Sequence, residues 1–147
     1  MWVRVPPSVL RIKGEDIYYS MELISTHLIK KSDLGTHQSL SGGQLLSWID
    51  IGAATYAMEV CKATKIFTIK IGECIFQSTA KEGQILKIYG DVVKIGNTSI
   101  TLHLEARINN VKTESQSIVM STNITFVLID ENDRPTPISD EVRLKYQ

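Results

Sequence analysis

Cysteine is scarce in this chain, with two residues, Cys61 and Cys74, among 147. Two thiols cannot build a disulfide framework, and no His, Cys or carboxylate grouping has metal-ligand spacing, so no metal is expected. Reduced, buried thiols of a cytoplasmic protein are the expectation. Net charge is missing as well. Sixteen Lys and Arg balance sixteen Asp and Glu, so no cationic excess exists to release counterions from nucleic acid, and no nucleic-acid partner is expected. No apolar run approaches the roughly 20 residues that span a bilayer, so no membrane partner is expected either. The first residues hold no apolar stretch of signal-peptide length. Phosphate-binding loops, dinucleotide glycine patterns and a Gly-x-Ser-x-Gly elbow are all absent. What is left is an ordinary globular composition, 43% hydrophobic. A single domain of this length buries roughly 68–70% of its unfolded surface and can build a real core.

Along the chain, residues 1–20 stand apart, with Pro6-Pro7, Gly14, scattered charge and Tyr18-Tyr19. They are expected to form a loosely ordered N-terminal extension, with Met21 an alternative start. The domain proper is expected over 21–138, followed by a charged tail over 139–147. Met21 to Ile29 reads as a strand. After Ser41-Gly42-Gly43 a helix is expected to run to about Lys62, because Leu45, Leu46, Ile49, Ala53, Tyr56, Ala57 and Val60 recur at helical spacing. Trp48 and Ile51 make its other faces partly apolar, which predicts a buried helix. Only strands follow. Lys65–Phe76 has an apolar phase through Phe67, Ile69 and Ile71 that switches at Gly72, predicting a bulge or bend there. Ile85–Ile95 is the next strand, with a bend expected at Gly90. Gly96-Asn97 is a turn. Ser99–Asn109 alternates, with Ile100, Leu102, Leu104, Ala106 and Ile108 facing the core and Thr101, His103, Glu105 and Arg107 facing solvent. Ser117–Ile129 is the last long strand. One apolar helix and several antiparallel strands have an economical solution: an α+β hotdog fold, in which a curved antiparallel sheet of five or more strands wraps one long central helix.

Asp50 is the residue that this arrangement does not explain. It sits mid-helix between Ile49 and Ile51, where an unpaired charge costs several kcal/mol to desolvate. Gly43, Ser47, Asp50, Ala54 and Ala57 share its helical face. Small residues beside a carboxylate leave room for a ligand; a structural carboxylate at a subunit interface fits the periodicity equally well. Gly42-Gly43 at the helix start would bring a ligand close to free backbone N–H groups that carry partial positive charge. Such groups can stabilise an oxyanion. His27 and His103 read as structural or exposed, whereas His37 lies in the loop before the helix, on the approach to Asp50.

The run Gly42-Gly43-Gln44-Leu45-Leu46-Ser47-Trp48-Ile49-Asp50, followed by Ala53-Ala54, resembles the hotdog-fold acyl-CoA thioesterases of the YciA-like, cytosolic acyl-CoA hydrolase type. Phe76 with Gly83, the turn Gly96-Asn97-Thr98-Ser99-Ile100, and the stretch from Phe126 to Asn132 with Arg134-Pro135 and Pro137-Ile138 resemble further blocks of that family, in order. The resemblance implies hydrolysis of acyl-CoA to free acid and CoA, with no cofactor beyond the CoA of the substrate. It implies that backbone N–H groups near Gly43 and Gln44 polarise the carbonyl, and that Asp50 acts as general base or nucleophile. Gly42 and Ser47 would border the substrate, and Gly96, Asn97, Thr98 and Ser99 would hold part of CoA. It also implies self-association as a dimer, or as a hexamer built as a trimer of dimers, with the site shared between subunits.

Departures from the family pattern centre on the loop before the helix. Gly35 stands where many relatives have a water-holding Asn; Asp33 is kept, and His37 and Gln38 are nearby polar substitutes. Ser41 replaces a bulky apolar residue. Thr79 and Gln84 stand for a Pro and an Asp, and Asn97 for an Arg. Two other functions compete with hydrolysis. One is dehydration or hydration of an acyl thioester by His37 and Asp50. The other is acyl-CoA binding without catalysis.

Overall fold

The structure, a computed structural model, describes residues 21–146 and, before them, the backbone of two short strands. The expected loose extension over residues 1–20 otherwise lies outside the described residues. Chain order is β1 (Val9–Ile12), β2 (Glu15–Tyr18), β3 (Glu22–Leu28), a 3-10 turn (Lys31–Asp33), α1 (Gly42–Cys61), β4 (Ile66–Ile71), β5 (Ile75–Phe76), β6 (Ile85–Ile95), β7 (Ser99–Asn109), β8 (Gln116–Leu128) and α2 (Asp140–Lys145). β1 and β2 form a hairpin, and the other six strands make one antiparallel sheet in the order β3-β6-β7-β8-β4, with β5 continuing beyond β4 along β8. The sheet lies against α1, as the hotdog architecture requires. Among the described residues no helix is long and apolar enough to cross a membrane.

The helix buries one stripe. Leu45, Ile49, Ala53, Ala57 and Cys61 recur every four residues and are almost fully buried. They meet Leu86, Ile88, Leu102, Leu104, Ile124 and Phe126 from the concave face of the sheet. Burying a Leu, Ile or Phe side chain contributes about 1.5–3 kcal/mol, so this layer is the main source of stability. The expectation of a helix buried on all sides needs correction. A single sheet covers one side only, and Ile51 on the opposite side is 61% exposed. The helix also begins two residues early, so Gly42 and Gly43 form its first turn rather than preceding it.

β4 reverses the expected phase. Thr68 pairs with the buried Phe126 and faces α1, whereas Phe67 and Ile69 are exposed. The register slips between Thr68 and Lys70, and Gly72 then separates β4 from β5. A Cβ on Gly72 would come within 3.1 Å of the Asn123 carbonyl oxygen, which accepts the Gly72 N–H at 2.7 Å. Gly90 makes room for Ile24, whose Cδ1 would lie 2.4 Å from an added Cβ; the pairing of β6 with β3 slips beside it, opposite Leu23 and Ser25, and that with β7 slips between Val92 and Lys94.

The apolar side of β7 is as expected, but its polar side is only partly solvated. Glu105 and Arg107 are buried. The Arg107 guanidinium donates to Glu105 Oε2, Nη2 at 2.9 Å and Nε at 3.1 Å, and Nη1 donates to Gln116 Oε1 at 3.2 Å. Arg107 also stacks on the Tyr89 ring at 4.0 Å, and Gln116 Nε2 donates to the Tyr89 hydroxyl at 2.7 Å. Met21, entering β3, covers the pair, with its Sδ 3.5 Å from Arg107 Nη2. Burial alone would push the Glu105 carboxyl up; the His103 hydrogen bond and the adjacent Arg107 hold it below the usual range. Glu105 in turn raises His103, whose two ring nitrogens face Glu105 Oε1 and Asn123 Oδ1. A buried charge that loses its partner is costly. Glu105→Ala should therefore destabilise the chain by about 3–5 kcal/mol, read from the urea midpoint at pH 7. A loss under 1 kcal/mol would mean that the pair is not desolvated.

Candidate active site

Ser41 starts α1. Its Oγ accepts the Gln44 N–H at 3.1 Å, the usual N-cap arrangement. This hydrogen bond occupies one of the two backbone donors expected near the helix start. Among the described residues no acceptor lies on the Gly42 or Gly43 N–H groups. A Cβ on Gly43 would meet nothing within 4 Å, so the space before the first turn is open. Phe76 stands beside it, 3.9 Å from where a Cβ of Gly42 would be.

Two turns along, Asp50 is half-buried and accepts a hydrogen bond from the Thr68 hydroxyl at its Oδ1, 3.1 Å away. Thr68 was not among the expected site residues. The signal for it was a lone hydroxyl between apolar neighbours in Ile66–Ile71, masked by assigning Phe67, Ile69 and Ile71 to the core side. Gly43 and Ser47 are exposed on the Asp50 face of the helix, Ala54 is half-buried, and Ala57 runs into the core. The face is thus open at its N-terminal end and closes toward the sheet. A cavity of about 490 Å³ lies elsewhere, on the outer side of the sheet, between Lys70, Glu73, His103 and Asn123, and Asp50 does not line it.

The loop before α1 is built for itself. Asp33 is buried and turned inward: its Oδ2 accepts the Lys30 N–H at 2.8 Å, and its carbonyl accepts the Ser41 N–H at 3.0 Å. Gly35 donates to the Ser39 carbonyl at 2.7 Å, and a Cβ on it would lie 3.3 Å from Ser41 Cβ. The two small residues pack against each other. His37 is exposed, and among the described residues no hydrogen bond joins it to Asp50. His27 is stacked on Trp48 at 4.3 Å, and burial holds it below the usual histidine range.

The Gly96–Ser99 turn is closed by Gly96 N–H to Ser99 O at 2.8 Å. It lies at the end of β7 where Ile100 pairs with Phe126 and Phe126 with Thr68. Two strand spacings of about 4.8 Å therefore separate β7 from the Thr68 strand. Turn and carboxylate belong to one end of the sheet.

The model of the thioesterase superfamily matches residues 37–115. The chain belongs to this family. It is 26% identical over 120 residues to the acyl-CoA thioester hydrolase YciA of Salmonella typhimurium, covering 80% of this chain and 90% of that one. It is 30% identical over 111 residues to an uncharacterized acyl-CoA thioester hydrolase of Buchnera aphidicola, covering 74% and 82%. The fold matches a hexameric hotdog-fold thioesterase of Campylobacter jejuni with a TM-score of 0.76 at 28% identity, over 84% of this chain and 95% of that one. The hotdog reading and the family resemblance are both borne out.

The Ser41 cap has a measurable weight. Ser41→Ala should cost about 1 kcal/mol of stability in chemical denaturation, because Gln44 N–H loses its acceptor. No loss would show that water replaces the hydroxyl without cost.

Proposed function

We propose that this chain hydrolyses acyl-CoA thioesters to the free acid and coenzyme A, with no further cofactor, and that Asp50 activates the attacking water. One observation carries the reading: a carboxylate held by Thr68 on an open helix face, in line with uncapped N–H donors at the start of the same helix. In this reaction the thioester carbonyl oxygen rests on the Gly43 N–H, where the helix start stabilises developing negative charge. Gln44, whose N–H is engaged by Ser41, supports that turn rather than donating. Thr68 fixes Asp50 Oδ1, which leaves Oδ2 to take a proton from water. The water oxygen bonds to the carbonyl carbon. The adduct then collapses, the C–S bond breaks, and the departing thiolate takes the proton back from Asp50. Direct attack by the carboxylate through an anhydride would use the same placement. Gly42 and Ser47 border the acyl approach, and Gly96, Asn97, Thr98 and Ser99 receive polar parts of CoA.

In one copy the carboxylate face is a surface, not a groove. Ile51 on α1 is exposed, and so are Phe67, Ile69, Ile71, Ile75 and Phe76 along the edge strands β4 and β5. An apolar edge of this kind is a template for pairing with another chain. The proposed unit is therefore a dimer that covers both α1 faces, gathered into a trimer of dimers as the hexameric relative suggests, and working on a soluble substrate in the cytoplasm.

Asp50→Asn should lower thiol release from acyl-CoA by at least about 100-fold while CoA binding persists. A loss under tenfold would remove Asp50 from the chemistry, and wild-type binding without thiol release would make the chain a binder. Ile69→Lys, which places a charge on the β4 edge, should give monomers by light scattering and a matching loss of turnover. A fully assembled variant would place the interface elsewhere.

A further inference from the structure

We propose that Arg143, on the C-terminal helix α2, is a specificity-determining residue that binds a phosphate of the coenzyme A portion of the substrate at the Gly96–Ser99 turn. The inference rests on the hydrolase reading above and adds a residue from outside every element that reading uses.

The turn is oriented for an anion. Three of its carbonyls are consumed by the protein: Asn97 O accepts from Ile138 N–H at 2.8 Å, Thr98 O from Leu128 N–H at 2.9 Å, and Ser99 O from Gly96 N–H at 2.8 Å. Among the described residues, nothing accepts from the N–H groups of Asn97 and Thr98 or from the hydroxyls of Thr98 and Ser99. Acceptors point inward and donors are left over, the polarity that favours a phosphate.

A cation is fixed beside these donors. Arg143 Nη1 donates to Asn97 Oδ1 at 3.4 Å, and Nη2 pairs with the Asp140 carboxylate. The Nε is buried and has no partner, the only such side-chain nitrogen or oxygen among the described residues. A guanidinium carries five N–H donors. Two are engaged and Nε is buried, so one N–H on each of Nη1 and Nη2 remains for a phosphate oxygen. Asp140 pairs with this charge at the surface, where water weakens its hold on the guanidinium. The arginine is held in place from behind. Ile138 and Val142 are buried, Ser139 caps the Val142 N–H, and Lys62 pairs with Glu141 at 3.1 Å. The position of Arg143 is thus set by a segment that the tail alone supplies, and the ordering cost is met before any ligand arrives.

The test compares ligands with and without phosphate. In isothermal titration, Arg143→Gln should weaken CoA binding about tenfold, the loss of one charge-assisted contact, and shift pantetheine, which has no phosphate, by less than twofold. In turnover, KM for acyl-CoA should rise by the same factor with kcat held, KM for the acylated pantetheine should stay within twofold, and Arg143→Lys should recover part of the loss. Equal losses for both ligands would make Arg143 a structural residue of α2 and overturn the proposal. Unchanged CoA binding with thiol release intact would overturn it alone. CoA binding that depends on Arg143, in a chain that releases no thiol from acyl-CoA, would overturn the hydrolase reading and leave this contact standing.

Discussion

A helix has a full circumference, and a single sheet covers only part of it. This constraint organises the molecule. The stripe Leu45, Ile49, Ala53, Ala57 and Cys61 satisfies the hydrophobic driving force against the concave face, and folding of the chain is complete with that contact made. Asp50 lies at the margin of this stripe, where Thr68 of β4 reaches it, and Ser47, Gly43 and Ile51 are exposed beyond it. A carboxylate on the sheet-facing stripe would have faced the full desolvation cost of a core. On the uncovered side it stays half-buried with one hydrogen bond, and further dehydration comes only when something lies over it. In the proposed reaction the environment that makes this carboxylate a useful base is supplied by association over the same helix.

The outer side of the sheet solves a different problem. β7 places Glu105, Arg107 and His103 on the face away from α1, and the first two are buried beneath Met21 and beside Tyr89 and Gln116. Their charges are matched within the cluster, with the guanidinium donating to both the carboxylate and an amide oxygen. Such a network is worth keeping for registry more than for net stability, since an apolar replacement of equal volume is often neutral. Here it ties β6, β7, β8 and the residue that leads into β3.

Much of this was legible in the amino-acid order, and the failures share a cause. Alternation in Ser99–Asn109 gave both ends of β7 and every inward residue, because one face meets a core and pattern reports that directly. Pattern reports the polarity of the other face, not whether a neighbour covers it. The sign that Glu105 and Arg107 were buried was their opposite charge at a spacing of two on one strand. β4 failed for the converse reason. Its apolar residues were assigned to the core, although an edge strand can hold them for another chain, and the hydroxyl of Thr68 took the inward place. A glycine in a strand has two common meanings, a bend and a close approach, and the close approach at Gly90 is made by Ile24, which the local pattern does not reveal. The tail was read as charged, but nothing local linked Arg143 to a turn 46 positions earlier.

The loop before α1 shows how departures from a family pattern act together. Gly35 and Ser41 each look like a loss when taken alone: one removes an amide side chain, the other an apolar one. In space they touch, since a Cβ on Gly35 would lie 3.3 Å from Ser41 Cβ, so the two small residues fit one another. The serine then gives what an apolar residue cannot, an acceptor for the Gln44 N–H, and the first turn is fastened by its own cap. That fastening narrows the donors that face outward to Gly42 and Gly43. Two donors from adjacent glycines leave no side chain over the helix start, and in the proposed reaction that favours close approach of the carbonyl oxygen over a larger number of contacts. The helix start of this chain thus combines two bare glycine donors with a turn fastened by its own serine cap.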